Sequence, residues 1–355
     1  MQKKIIALAI AAAISAPAFA DTSNVTVYGL LNADFEGVTS NNVGAGVSNS
    51  LNRVSSNATR LGLKGSENLG GNLKSIWQLE IQADLNGNAG NGFGNGTRNS
   101  NVGLTGDFGT AFIGIWDTPY KVSHNKVELF DNTTFASAIN VLGRTGSAGV
   151  NFNNRLKNSV QYWTPNLSGF QAKVAYGTDN VQTTTLNQSV ASLSATYEND
   201  MFYAAYGYET FKDATLATNA ATAGNKSSGN RLVGAYKFDN GLVGLTYENL
   251  TGTTAGVSAS RNAWELAGKY TMGASNIGLS YVNAGNLGAT VNSGSNQLSL
   301  RYGYNFSKRT ELYGMYSALK NDANANYNLS GGTAVVGSVA GAKLSGFGVG
   351  MVHSF

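Results

Sequence analysis

From Asn24 onward the chain alternates apolar and polar residues with a period of two, segment after segment. In the first segment Val25, Val27, Gly29, Leu31, Ala33 and Phe35 share one parity, and Thr26, Tyr28, Leu30, Asn32, Asp34 and Glu36 the other. Successive strand side chains point to opposite faces, so the pattern gives one face to an apolar environment and one to water. Residues 73–83 repeat it, with Lys74, Gln78, Glu80 and Gln82 opposed to Leu73, Trp77, Leu79 and Ile81. Sixteen such segments start near residues 24, 58, 71, 97, 109, 154, 169, 189, 200, 229, 241, 259, 275, 295, 309 and 345. The one at 98–105 is ambiguous, because Arg98 shares parity with Val102 and Leu104.

The connections narrow the fold further. Seven are tight, at 68–71, 106–109, 165–169, 198–200, 239–241, 273–275 and 307–309, and several supply the Asn, Asp or Gly that hairpins need for positive φ. Eight are long, roughly 39–57, 86–96, 118–153, 180–187, 212–228, 252–258, 285–293 and 321–344, and long and short alternate strictly. An outer-membrane barrel has this layout, with an even strand number, short turns at one rim and long loops at the other. A soluble β-sandwich requires neither that alternation nor aromatics at strand ends. Here Tyr162, Trp163, Tyr176, Tyr197, Tyr208, Tyr247, Tyr270, Tyr281, Tyr304 and Phe306 stand at such ends and are predicted to form interfacial girdles. Glycine accounts for 45 of 355 residues and proline for only 3, which suits long hydrogen-bonded strands. The predicted fold class is therefore all-β, a sixteen-stranded antiparallel transmembrane β-barrel. In hydrocarbon each unpaired backbone N–H or C=O costs several kcal/mol, so strand 24–38 must pair with the terminal strand 346–355.

Residues 1–20 read as an export signal: Lys3 and Lys4, the apolar run Ile5–Ile14, then Ala18-Phe19-Ala20 as a cleavage site. That run is too short for a membrane-spanning helix, which needs ~20 residues. The barrel domain is then 21–355. Without the signal, 22 Lys and Arg stand against 20 Asp and Glu, too balanced for a nucleic-acid binder. With no cysteine, stability must come from packing and backbone hydrogen bonding. His124 and His353 are the only histidines, which supplies neither a catalytic constellation nor a dedicated transition-metal site. The glycine-rich tract 86–96 lacks the lysine context of a phosphate-binding loop. No enzymatic activity, cofactor or metal is expected.

The longest run without alternation is 118–153, which carries Lys121, His124, Lys126, Glu128, Asp131 and Arg144. So long a connection inside a compact domain usually has a function, such as a lid or plug. It is expected to fold into the lumen.

Several pieces, in order, carry a resemblance. They are Val25-Thr-Val-Tyr-Gly, the hairpin Arg60-Leu-Gly-Leu-Lys-Gly-Ser-Glu-Asn-Leu-Gly-Gly-Asn-Leu-Lys, Val102-Gly-Leu-Thr-Gly-Asp-Phe-Gly-Thr, Asn158-Ser-Val-Gln-Tyr, Ser307-Lys-Arg-Thr-Glu-Leu-Tyr and the terminal phenylalanine. With these the chain resembles, over essentially its whole mature length, the general-diffusion porins of Gram-negative outer membranes, especially the neisserial and burkholderial branch. The resemblance implies sixteen strands, a homotrimer surrounded by outer-membrane lipid and lipopolysaccharide, and passive diffusion of small hydrophilic solutes and ions. It also implies that the third external loop narrows the pore. Phe355 resembles the terminal aromatic read by the outer-membrane insertion machinery.

In such pores acidic groups on the loop face basic groups on the wall, and fixed charge in a narrow lumen biases which ions pass. Glu128 and Asp131 are the acidic candidates. Arg60 and Lys64 match the family motif directly, Arg98 and Arg155 match more loosely, and Lys74 qualifies by parity alone. Phe112 and Ile115 stand where relatives often carry polar or basic groups, which removes wall charge. Asp34, Glu80, Glu209, Glu265 and Glu311 on the inward parity further offset the bases, leaving a weak anion preference. The alternatives are a sugar-selective channel of the same fold, using aromatics such as Tyr28 or Trp116, and an adhesin or phage-receptor barrel acting through its external loops. Small outward residues, Gly29 and Ala33, are expected to let barrels pack closely.

Overall fold

The computed structural model describes residues 24–86, 93–146, 151–178, 183–214, 221–254, 256–330 and 339–355. The export signal predicted over 1–20 lies outside the described residues, as does part of the tract 86–96. The chain forms β1 (Asn24–Ser40), β2 (Ser50–Ser56 continued by Arg60–Gly70), β3 (Leu73–Ala83), β4 (Phe93–Thr97 continued by Ser100–Gly106) and β5 (Gly109–Asp117). After a long connection come β6 (Arg155–Trp163), β7 (Phe170–Thr178), β8 (Ser189–Glu198), β9 (Phe202–Ala214), β10 (Ala221–Phe238) and β11 (Gly241–Thr254). The last five are β12 (Val257–Met272), β13 (Ser275–Ala284), β14 (Ser295–Asn305), β15 (Thr310–Asn321) and β16 (Lys343–Ser354). Both pieces of β2 pair with β1, and both pieces of β4 with β3, so each counts as one strand and the barrel has sixteen. Every strand runs antiparallel to its neighbours, and β1 pairs with β16 from Leu30 opposite Ser354 to Ser40 opposite Leu344. The sheet therefore has no open edge, as backbone in hydrocarbon demands.

Several long connections are shorter than their sequence suggests. β2 begins at Ser50 and β10 at Ala221, inside the loops expected at 39–57 and 212–228. Pairing extends into the expected loop 252–258 from both sides, with Thr254 opposite Val257. These extensions are rich in Ser, Thr, Asn and Gly, so they pair as strands with little of the apolar alternation that would announce them.

One face of the sheet carries exposed apolar side chains, among them Val27, Phe35, Leu79, Ile113, Val174, Leu245, Leu300 and Val349. At the short-turn rim aromatic rings stand in pairs, Phe170 with Tyr197 at 4.5 Å, Phe202 with Tyr236 at 5.5 Å, Phe238 with Tyr270 at 6.3 Å and Tyr304 with Phe306 at 5.3 Å. Trp163 is an exception to the expected girdle. It packs at 5.1 Å from Phe112 and 5.8 Å from Trp116, on the opposite face to exposed Val160 and Tyr162.

The opposite face holds the buried apolar cluster. Val38, Tyr313, Met315, Leu319 and Leu344 from the strands meet Phe130, Phe135, Val141 and Leu142 from the 118–153 connection. Gly346 permits this contact, since a Cβ there would stand 2.8 Å from the Phe135 ring. At the other end of β16, the ring of Phe355 lies directly on Gly29, and the two residues exchange backbone hydrogen bonds at 3.0 and 3.2 Å. The space at Gly29 is thus filled by this chain's own terminal ring, not left open for a neighbouring barrel.

Candidate functional site

Three β-bulges bring the charged residues together. Between β1 and β2, Leu30 faces Arg60 and Ala33 faces Ser56, so three steps along β1 span four along β2, with Ala58 at φ 54°. Between β3 and β4, Ile81 faces Thr97 while Gln78 faces Asn101, again one extra residue. Between β5 and β6, Gly114 faces Ser159 and Trp116 faces Leu156, with Asn158 at φ 46°. A bulge re-aims the side chains beside it. Here the residues beside the bulges include Arg60, Arg98 and Arg155. The parity conflict at Arg98 is resolved this way: the bulge lets it reach Glu80 while Val102 and Leu104 stay exposed on the apolar face.

These arginines line one polar cavity of about 490 Å³ together with Glu80, Asp117, Lys121, Asp131 and Arg144. Arg98 Nε donates to Glu80 Oε1 at 2.8 Å, Arg60 Nε lies 3.5 Å from Oε2, and the Tyr28 hydroxyl donates to Oε2 at 2.9 Å. Asp117 accepts from Lys121 Nζ at 2.8 Å and lies 3.4 Å from Arg155. Asp131 accepts from Asn32 Nδ2 at 3.0 Å. Arg144 donates to the Ile139 carbonyl at 3.0 Å, and burial lowers its pKa. Five cationic side chains thus meet three carboxylates.

The other expected site residues fall elsewhere. Glu128 does not line the cavity. Its carboxylate accepts from the Phe130 amide at 3.0 Å and the Ser137 hydroxyl at 2.8 Å. Burial, opposed by His124 and reinforced by Glu265, pushes its carboxyl up to about 7. Lys64 sits toward the short-turn rim, its ammonium 5.2 Å from the Tyr28 ring. Lys74 is exposed near the short turn at Gly71 and Asn72. Phe112 is on the polar-parity face as expected, but Ile115 adjoins Ile113 and Val102 on the apolar side and never bore on wall charge.

A second charged cluster involves residues that sequence reasoning did not single out. Arg231 on β10 stands opposite Glu248 on β11. Glu248 accepts from Arg231 Nη2 at 2.6 Å, from Arg261 Nη2 at 2.9 Å, from the Tyr120 hydroxyl at 2.7 Å and from the Gly143 amide at 2.8 Å. The Arg231 guanidinium covers the Tyr120 ring at 4.2 Å and donates to Asn153 at 3.0 Å. Tyr120 belongs to α1 (Pro119–Val122), capped by Thr118, and burial beside Glu248 keeps its hydroxyl protonated. Nearby, His124 Nε2 meets Glu265 at 2.6 Å, and Lys126 Nζ reaches Glu198 at 2.7 Å, at the short-turn end of β8. The available signal was inward parity of three charged residues on adjacent strands; their register was not readable.

A family model described as Gram-negative porin matches residues 7–324. Outer membrane porin protein 32 of Delftia acidovorans is 32% identical over 366 residues, covering 100% of each chain. The major outer membrane protein P.IB of Neisseria sicca is 29% identical over 339 residues, covering 87% of this chain and 91% of its own. Among solved structures, an anion-selective porin from Comamonas acidovorans superposes with a TM-score of 0.80 at 26% identity, over 94% of this chain and 100% of that one.

Proposed function

Since the chain belongs to the Gram-negative porin family, and is an outer-membrane diffusion channel and not an enzyme, we propose that its solutes are sorted at the cavity shared by Arg60, Arg98, Arg155 and Asp131. In this reading the 118–153 connection folds into the lumen and narrows it. The supporting observation is that one cavity is lined both by wall residues from β2 to β6 and by Lys121, Asp131 and Arg144 of that connection. Hydrogen bonds from Tyr120 and Gly143 to Glu248, and the hydrogen bond between His124 and Glu265, would hold it there.

The excess of cations over carboxylates around that cavity gives the pore an anion preference, because fixed charge in a low-dielectric channel biases its ion content. Glu80 neutralises part of the field by pairing with Arg60 and Arg98. Arg144, held only by a carbonyl among these contacts, adds to it. Glu128 drops out of the constriction and becomes part of the loop's own packing. Lys64 and Lys74 add general positive charge toward the short-turn side.

The barrel assembles as a homotrimer in contact with lipid and lipopolysaccharide, and Phe355, exposed at the terminal strand, serves the insertion machinery. Planar-bilayer recording tests the reading. Linear conductance in triplet steps, with reversal on the anion side in a KCl gradient, is the expected result. Asp131→Asn should increase the anion preference; no change would remove Asp131 from the constriction, and absence of conductance would overturn the diffusion channel.

A further inference from the structure

Below the charged cavity, toward the short-turn rim, the wall of β1 to β6 holds a separate recess of about 340 Å³. Its lining includes Phe112, Trp116 and Trp163, three rings in mutual edge-to-face contact at 5.3, 5.1 and 5.8 Å. Phe112 is buried, whereas both indoles keep part of their surface accessible and meet at 66°. Two partly open indoles set at such an angle over a buried ring form a wedge that fits a planar ring better than a branched aliphatic group. The volume is in the range of small-molecule sites.

The polar groups around this wedge indicate what accompanies the ring. Lys64 lines the recess, and Lys173 Nζ stands 4.5 Å from the Trp163 ring centroid. Neither lysine has a carboxylate within ion-pair distance among the described residues, in contrast to Arg60, Arg98 and Arg155. Asn101 and Gln78 line the same recess, and Asn101 Oδ1 accepts no hydrogen bond from the described protein. No Asp or Glu is among the lining residues. A sugar site draws on carboxylates that accept from hydroxyls; aromatic faces with uncompensated ammonium groups suit an anion with a flat apolar body.

We propose that the Phe112–Trp116–Trp163 recess is a binding station for small aromatic carboxylates, which the arginine-lined cavity above delivers to it. This rests on the diffusion-channel reading and adds a solute class to it. The ring of such a solute enters between Trp116 and Trp163, and its carboxylate pairs with Lys64.

Single-channel recording with benzoate, acetate and uncharged benzyl alcohol as probes tests the station. Benzoate should interrupt chloride current at a concentration about tenfold below acetate, since acetate offers the charge without the ring. The double variant Trp116→Ala/Trp163→Ala should bring benzoate and acetate to within about twofold of each other. Lys64→Gln, which leaves the rings in place, should weaken benzoate block about threefold or more without altering the response to benzyl alcohol. Equal block by benzoate and acetate in the unaltered protein would overturn the station, as would an about tenfold benzoate preference that survives the double tryptophan variant, or benzoate block unchanged in Lys64→Gln. A barrel that conducts but ignores benzoate refutes only this inference, whereas a barrel that never conducts refutes the channel as well.

Discussion

The two arginine–carboxylate clusters use the same residue types on the same face of the sheet, yet differ in their relation to water. Around Glu80 and Asp117 the side chains of Arg60, Arg98 and Arg155 keep 30%, 13% and 20% of their surface exposed, whereas those of Arg231, Glu248 and Arg261 are 0% exposed. What separates them is the 118–153 connection, which touches Glu248 from above through Tyr120 and Gly143 but leaves the arginines of β2, β4 and β6 facing a cavity. A wet cluster can attract ions at little cost, because its charges stay solvated. A dry one depends on internal partners, and Glu248 is shared by both arginines and by Tyr120 and Gly143 of the connection. Residue type therefore does not determine role here; the loop does.

The largest effect is expected from breaking the dry cluster. Glu248→Ala would leave Arg231 and Arg261 buried without their carboxylate, at a cost of about 3–5 kcal/mol. Thermal unfolding should occur well below that of the parent, and the conductance should rise as the loop loses its tie. An unaltered melting temperature with unaltered conductance would show that this cluster holds nothing. The same kind of truncation in the wet cluster, Arg98→Ala, should cost less, because Glu80 keeps Arg60 at 3.5 Å and the Tyr28 hydroxyl at 2.9 Å.

A smaller effect is expected at Glu128, inside the connection itself. Its carboxyl, ordinarily near 4.5, is pushed up to about 7 by burial. Between those values the folded chain holds a proton that the unfolded chain has already lost. The contribution is thus complete below pH 4.5 and is lost as pH rises through about 7. It is on the order of 1 kcal/mol, given the partial exposure of the side chain. Melting measured from pH 4.5 to pH 7.5 should show the decline in the parent and a flatter profile in Glu128→Gln. Equal slopes would mean that Glu128 titrates alike in both states.

The barrel was legible because period-two alternation and alternating turn lengths are local properties, and the closure of β1 on β16 followed from the solvent. The site was legible only in part. Arg60, Arg98, Arg155 and Asp131 were named from the sequence and share a cavity, but nothing local revealed the bulges at Ala58, Arg98 and Asn158 that aim the arginines. Lys74 and Lys64 have the right parity and the wrong height, a coordinate that alternation does not encode. Glu128 has the right charge in the right connection, yet turns into its packing. Arg231, Glu248 and Arg261 were invisible as a unit, since their meeting depends on inter-strand register and on Tyr120, more than 100 residues earlier in the chain.

The most direct measurement is the reversal potential in a KCl gradient for the triple variant Arg60→Gln/Arg98→Gln/Arg155→Gln, set against Lys74→Gln as a wall charge outside the cavity. If the wet cluster sets the ion preference, the triple variant moves reversal from the anion side to the cation side, and Lys74→Gln leaves it near the parent value. A triple variant that keeps the parent reversal potential would contradict this, and would place selectivity somewhere other than the cavity between Arg60, Arg98 and Arg155.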